Sequence, residues 1–310
     1  MKKIICFILI SAIIVSCAIL LISCSEKPNT EDPVTPDTDT EEKGPDYKYV
    51  CLIGVDGGGR FFTEENTPLT LKIFENGATA FDTLTELPSG SGPNWMSILH
   101  GISYDTHLRN NAECGEPIDS SYPYPSIFRV IREQIPDAKL YAHGDWAESV
   151  TGTVEMDINC GIVAGVSDDI VSYLSNALLK REIPTMLFIQ FDKMDGNWFT
   201  PLYTENFNVI DKYIYSLYQL YDDWGVLDET LFIVTADHGG GWWEDIQEYN
   251  HGRDSYDECH VFLGIAGRTV NNYTMTDTRN RDIPAIVAAA LGLEAPDVWT
   301  AKVPEGLFGD

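Results

Sequence analysis

Three apolar runs punctuate the chain and end alike. Tyr49-Val50-Cys51-Leu52-Ile53-Gly54-Val55 leads into Asp56 and glycines, Met186 to Phe191 into Asp192-Lys193-Met194-Asp195-Gly196, and Leu231 to Ala236 into Asp237-His238-Gly239-Gly240. Short apolar runs without polar alternation predict strands covered on both faces. Further strands are predicted at residues 139–142 and 260–265. Amphipathic spacing predicts helices at 126–134, 168–181, 206–223 and 282–291, the last stopped by Gly292. No internal repeat is visible. The alternation of strands and helices from Asp46 onward predicts an α/β fold, a doubly wound, mostly parallel sheet with helices on both faces. Ligands of such sheets collect beyond the carboxyl ends of the strands, which is where Asp56, Asp195 and Asp237 fall.

Adjacent Asp237 and His238 offer an oxygen and a nitrogen ligand from a glycine-rich loop, which is half of a divalent-cation site. Asn250-His251-Gly252 follows shortly after. The segment Pro88-Ser89-Gly90-Ser91-Gly92-Pro93-Asn94-Trp95, running on to Gly101, places Pro93 where it suits the first turn of a helix. Ser91 or Gly92 then stands at a helix N-terminus, where free N–H groups and the helix dipole favour an anion. A serine there either caps the helix or acts as a nucleophile, its hydroxyl made more acidic by a cation against its oxygen.

The N-terminal residues concern location. Met1-Lys2-Lys3, an apolar stretch from Ile4 to Ile22 and then Ser23-Cys24 read as a bacterial export signal over residues 1–23. Leu21-Ile22-Ser23-Cys24 resembles a lipoprotein cleavage box, with Cys24 as the lipidated N-terminus; Cys17 is a weaker cleavage site, and a retained transmembrane helix is the competing reading. Residues 24–47 are rich in Pro, Thr, Asp and Glu, and predict a disordered acidic tether. The expectation is a folded domain over residues 48–310, anchored to a membrane of the bacterial cell envelope and facing the periplasm or the exterior. A formal net charge of −28 argues against nucleic-acid binding through a basic surface. Part of that acidity fits cation ligands. Beyond the signal lie Cys51, Cys114, Cys160 and Cys259, and an oxidising compartment permits a disulfide whose pairing the sequence leaves open.

Taken in order, Val55-Asp56-Gly57, Ser91-Gly92-Pro93-Asn94-Trp95 with Gly101 and His107 after it, Asp195-Gly196, Asp237-His238-Gly239-Gly240 and Asn250-His251-Gly252 resemble the alkaline phosphatase superfamily. The likeness runs from Tyr49 to Phe308 and is greatest to the type I phosphodiesterase/nucleotide pyrophosphatase branch. The resemblance implies a hydrolase of small phosphate esters, whether diester or monoester. It implies that Asp56, Asp237 and His238 bind one cation beside Ser91, the nucleophile that forms a phospho-enzyme. Asp195 and His251 would bind a second cation, which activates water. The implied cofactor is a divalent metal, zinc, as one or two ions. Asn110 or Asn111 would hold a substrate oxygen, and the spacing from His107 does not choose between them.

One departure from the family pattern stands out. The family's Asp-x-x-x-His stretch has Phe199 in its histidine position, and no histidine occurs between His143 and His238. The second site then keeps only Asp195 and His251, and binds weakly, recruits a substitute such as Asp192, or is absent. His100 and His107 read as structural; His143 and His260 would serve the site only if the fold carries them there. Trp242 and Trp243 read equally as a pocket wall or as packing under the glycine-rich loop, and Tyr213, Tyr215, Tyr218 and Tyr221 as packing on a helix. Two alternative functions follow. One is a lipid-anchored binding protein that has lost catalysis; the other is a sulfatase-like hydrolase, against which stands Trp95 where the sulfatase Cys/Ser-x-Pro-x-Arg motif has arginine.

Overall fold

A computed structural model of the protein describes residues 46–165 and 182–309. The export signal, Cys24, nearly all of the tether and the helix expected at 168–181 lie outside the described residues. Among the described residues no helix is long and apolar enough to cross a membrane.

The strands are β1 (Tyr49–Val55), β2 (Ala78–Leu84), β3 (Leu140–Gly144), β4 (Gly161–Ala164), β5 (Met186–Phe191), β6 (Thr230–Ala236), β7 (Gly241–Trp243), β8 (Glu248–Asn250), β9 (His260–Ala266) and β10 (Tyr273–Thr274). Eight of them form one sheet in the order β10-β2-β9-β6-β1-β5-β3-β4, while β7 and β8 pair as a separate hairpin. Within the sheet β9 runs antiparallel to both of its neighbours and every other pairing is parallel. The expected mostly parallel sheet is therefore present. Three of the expected strands extend beyond their expected bounds at β3, β6 and β9 by one or two residues.

Each central strand is covered on both faces because its side chains alternate across the pleat. β1 sends Val50 and Leu52 into one apolar core and Cys51, Ile53 and Val55 into the other. The first core is closed by the helices Ser91–His100, Ile127–Gln134 and Ile283–Ala290, the second by Pro68–Ile73 and Pro201–Asp223. The long helix begins earlier than expected because Thr200 caps it, accepting the Tyr203 N–H at 3.3 Å, with Pro201 in its first turn. On that helix Tyr221 is buried and Tyr218 packs edge-on against Phe232, so the tyrosine-rich face is packing. All four described cysteines are free thiols.

Candidate active site

β1 lies between β5 and β6, and the registers Val55↔Phe191 and Val55↔Ala236 bring three strand ends level. The next residue on each is an aspartate: Asp56, Asp192 and Asp237. Asp195 follows in the turn after β5, its N–H bonded to the Asp192 carbonyl at 3.3 Å. Gly57 ties two ends together, its N–H donating to Asp237 Oδ1 at 3.1 Å. Its φ of +67° and a Cβ position 2.8 Å from Asp195 Cα both require glycine there.

Ser91 opens the buried helix Ser91–His100 after Gly90, which stands at the capping position in extended conformation. Ser91 therefore does not cap. Its hydroxyl donates to Asp56 Oδ1 at 3.2 Å and lies 3.2 Å from His238 Nε2. The two asparagines left open by the sequence make different contacts. Asn111 Oδ1 accepts the Gly92 N–H at 2.7 Å, directly beside Ser91. Asn110 instead caps the short helix Asn111–Cys114, its Oδ1 accepting the Ala112 and Glu113 N–H groups.

Both histidines are oriented by backbone carbonyls. His238 Nδ1–H donates to Gly239 O at 2.9 Å and His251 Nδ1–H to Ser89 O at 3.0 Å, which leaves Nε2 of each ring as the ligand atom. His238 Nε2 lies 3.4 Å from both Asp56 Oδ1 and Asp237 Oδ2, and His251 Nε2 lies 3.8 Å from Asp195 Oδ1. Two ligand groups result, Asp56–Asp237–His238 and Asp195–His238–His251. The expected five residues come together, and His238 belongs to both groups.

The charged groups of this cluster perturb one another strongly. Burial and the Asp56 charge raise the Asp237 carboxyl well above the ordinary carboxylate range and push Asp195 up to about 6. Burial alone opposes the charged form of His238, but Asp237 and Asp56 outweigh it and carry the ring up to about 10. Burial likewise opposes the Asp56 charge, yet His238 and the Trp95 N–H reverse this and lower its pKa. Asp195 Oδ1 and Asp237 Oδ2 are buried without a hydrogen-bond partner. Oxygen and imidazole donors with orphaned carboxylate oxygens fit a divalent ion such as zinc.

Solved structures give the fold its context. Murine ectonucleotide pyrophosphatase/phosphodiesterase 5, in an inactive variant in complex with AMP, aligns over 80% of this chain and 96% of its own, with 12% identity and a TM-score of 0.63. The human counterpart aligns over 83% and 97%, with 13% identity and a TM-score of 0.62. A 2-O GAG sulfatase aligns over 84% of this chain and 73% of its own, with 11% identity and a TM-score of 0.66. The chain has the alkaline phosphatase superfamily fold. No protein-family model and no curated protein sequence matches it.

Within this alkaline phosphatase-like fold the gap at Phe199 is not filled by another histidine. Phe199, at φ +58°, turns to the surface and packs on Tyr249 and Phe61, with ring centroids 4.5 and 5.2 Å away. Its neighbour Trp198 is buried against the site, edge-on to His251 at 5.6 Å, with its N–H donated to Gly57 O at 2.8 Å. His143 pairs with Asp145 at 3.3 Å and His260 stacks on Tyr256; neither joins a ligand group among the described residues. His100 sits between the carbonyl oxygens of Tyr124 and Thr153, each 2.8 Å away, and His107 bonds Ser97, so both are structural. Asp192 belongs to neither group; burial and the charges of Asp56 and Asp195 push its carboxyl up to about 7.

Several supporting residues carry no sequence signal of their own. Glu258 is fully buried and accepts hydrogen bonds from the Trp243 indole, Ser255, Ser89 and the Arg253 N–H. It thereby holds the β7–β8 hairpin that carries His251 against the Ser89 segment. Trp243 packs under that loop, whereas Trp242 is exposed and contacts Tyr249.

Proposed function

We propose that this chain is an exported, cation-dependent hydrolase of small phosphate esters that works through a phosphoserine at Ser91. The observation that carries the reading is the Ser91 hydroxyl, 3.2 Å from both Asp56 Oδ1 and His238 Nε2 at the start of a helix. A divalent cation held by Asp56, Asp237 and His238, and a second held by Asp195 and His251, would supply positive charge against the Ser91 oxygen and the phosphoryl oxygens.

Ser91 Oγ forms the new bond to phosphorus as the bond to the ester oxygen breaks, and the alcohol leaves with a proton. With a cation against it the Ser91 hydroxyl gives up its proton, and the net proton ends on the leaving alcohol. Water then attacks the phosphoserine, the Oγ–P bond breaks, and Ser91 regains its hydroxyl as phosphate or a phosphomonoester departs. The N-terminal N–H groups of the Ser91 helix favour the phosphoryl oxygens, and Asn111 stands beside them. AMP bound by the murine structural relative supports a small phosphate ester as substrate. A sulfate ester is disfavoured because Trp95, in the position of the sulfatase arginine, is buried and donates to Asp56.

The N-terminal sequence supports attachment to a cell-envelope membrane through lipid on Cys24. Hydrolysis of a chromogenic phosphodiester and monoester by wild type and Ser91→Ala tests the catalytic reading. Loss of turnover with an unchanged melting temperature is expected. Turnover retained by the Ser91→Ala protein would exclude the mechanism, and a wild type that binds zinc and AMP without turnover would favour a binding protein.

A further inference from the structure

Gln190 is a polar residue in the middle of the sheet, fully buried on β5 between Ile189 and Phe191. A buried amide has two donors and one acceptor atom to satisfy, and an unmet group there is costly. All are met. Its Oε1 accepts the Trp146 N–H at 2.9 Å, and the Ser149 hydroxyl, 3.3 Å away, is turned to Trp146 O at 2.7 Å. The Trp146 N–H can only donate, so the orientation of the amide is fixed and Nε2 faces the other way. From there Nε2 donates to Asp56 Oδ2 at 2.9 Å and reaches Asp192 Oδ1 at 3.4 Å.

The same Asp56 oxygen receives a second donor, the Trp95 indole N–H at 2.8 Å. The two Asp56 oxygens thus have separate surroundings. Oδ2 is held by two N–H groups, and Oδ1 faces Ser91 and His238 at 3.2 and 3.4 Å. A carboxylate without such restraint rotates about its terminal torsion, which is broad, and can offer either or both oxygens to a cation.

We infer that Gln190 is a positioning residue that, with Trp95, locks Asp56 so that a single oxygen is presented to the cation beside Ser91. The inference rests on the reading of the site as a cation-dependent centre. The lock also separates two carboxylates at level strand ends, because the amide lies between Asp56 and Asp192. Outer hydrogen bonds of this kind alter metal affinity or activity about 10- to 100-fold when removed.

The test is zinc titration calorimetry on the full chain, with kcat and KM measured alongside, for wild type, Gln190→Met and Trp95→Phe. Methionine fills the glutamine volume without a donor, and Trp95→Phe removes the other N–H, so a folded protein is expected from at least one variant. The expected result is a zinc dissociation constant raised about 10-fold or more and a fall in kcat that exceeds any change in KM. A lowered melting temperature with zinc affinity and kcat unchanged would overturn the inference and leave Gln190 as a structural amide, with the hydrolase reading intact. A wild type that binds no zinc would overturn both.

Discussion

The imidazoles of His238 and His251 lie face to face, with ring centroids 4.1 Å apart and planes 17° from parallel. His238 belongs to both ligand groups and His251 to one, so the two rings are unequal. Because His238 Nε2 can serve one ion at a time, wild type should hold one zinc tightly and a second more weakly, His251→Ala should lose the weaker one, and His238→Ala the tighter one. Elemental analysis after gel filtration reads the stoichiometry directly.

Ion binding should also stabilise the fold, because it engages orphaned buried carboxylate oxygens of Asp195 and Asp237. Free zinc at 100 times its dissociation constant should add about 2.7 kcal/mol to unfolding free energy if it binds only the folded state. Urea titrations with zinc and with chelator should show that difference. Equal midpoints would show that the cluster does not take up the ion.

Restoring a histidine at position 199 should not rebuild a ligand. Phe199 has positive φ and its ring lies on Tyr249, while Trp198 occupies the place against His251. Phe199→His should leave the affinity for the second zinc within about threefold of wild type, whereas recovery of a full site would be a gain of about tenfold or more. Calorimetry separates the two.

Gly54 has an ordinary strand conformation, yet a Cβ there would fall inside the indole of Trp95. Gly54→Ala should therefore cost about 1–3 kcal/mol by overpacking. It should also displace the Trp95 N–H from Asp56, visible as a shift in tryptophan emission and a weaker zinc affinity.

His107 provides a pH dependence outside the cation cluster. Burial, followed by the His100 charge, lowers its pKa from 6.5 to about 3, and it hydrogen-bonds Ser97 and the Arg109 N–H as the neutral ring. The unfolded chain binds this proton first as pH falls below about 6.5. The contribution is therefore complete above that pH and is lost progressively as pH falls toward 3. The stability difference between wild type and His107→Gln should shrink from pH 7 to pH 4.5, as read by urea unfolding.

The parts of the molecule legible in its sequence are those where local pattern and burial agree. β1, β5 and β6 are uninterrupted apolar runs, and the aspartates that end them mark the sheet edge. β2 escaped notice because Thr79, Asp82 and Thr83 break its apolar pattern, and β4 and β10 are too short to leave one. The clustering of Asp56, Ser91, Asp195, Asp237, His238 and His251 follows from ordered motifs. That Asn110 caps a helix while Asn111 accepts the Gly92 N–H was not legible, because adjacent asparagines look alike in sequence. Gln190 and Glu258 gave no signal, since an isolated polar residue reveals its role only through partners distant in sequence.

The hydrogen bond from Gly57 to Asp237 spans 180 residues of chain. Contacts so distant in sequence form late and slowly during folding. Neither of the first two strand ends can acquire ligands from the third until β6 has inserted beside β1. A fragment ending before β6 therefore contains no complete ligand group, and a cation bound by Asp56, Asp237 and His238 would report that β6 has joined β1.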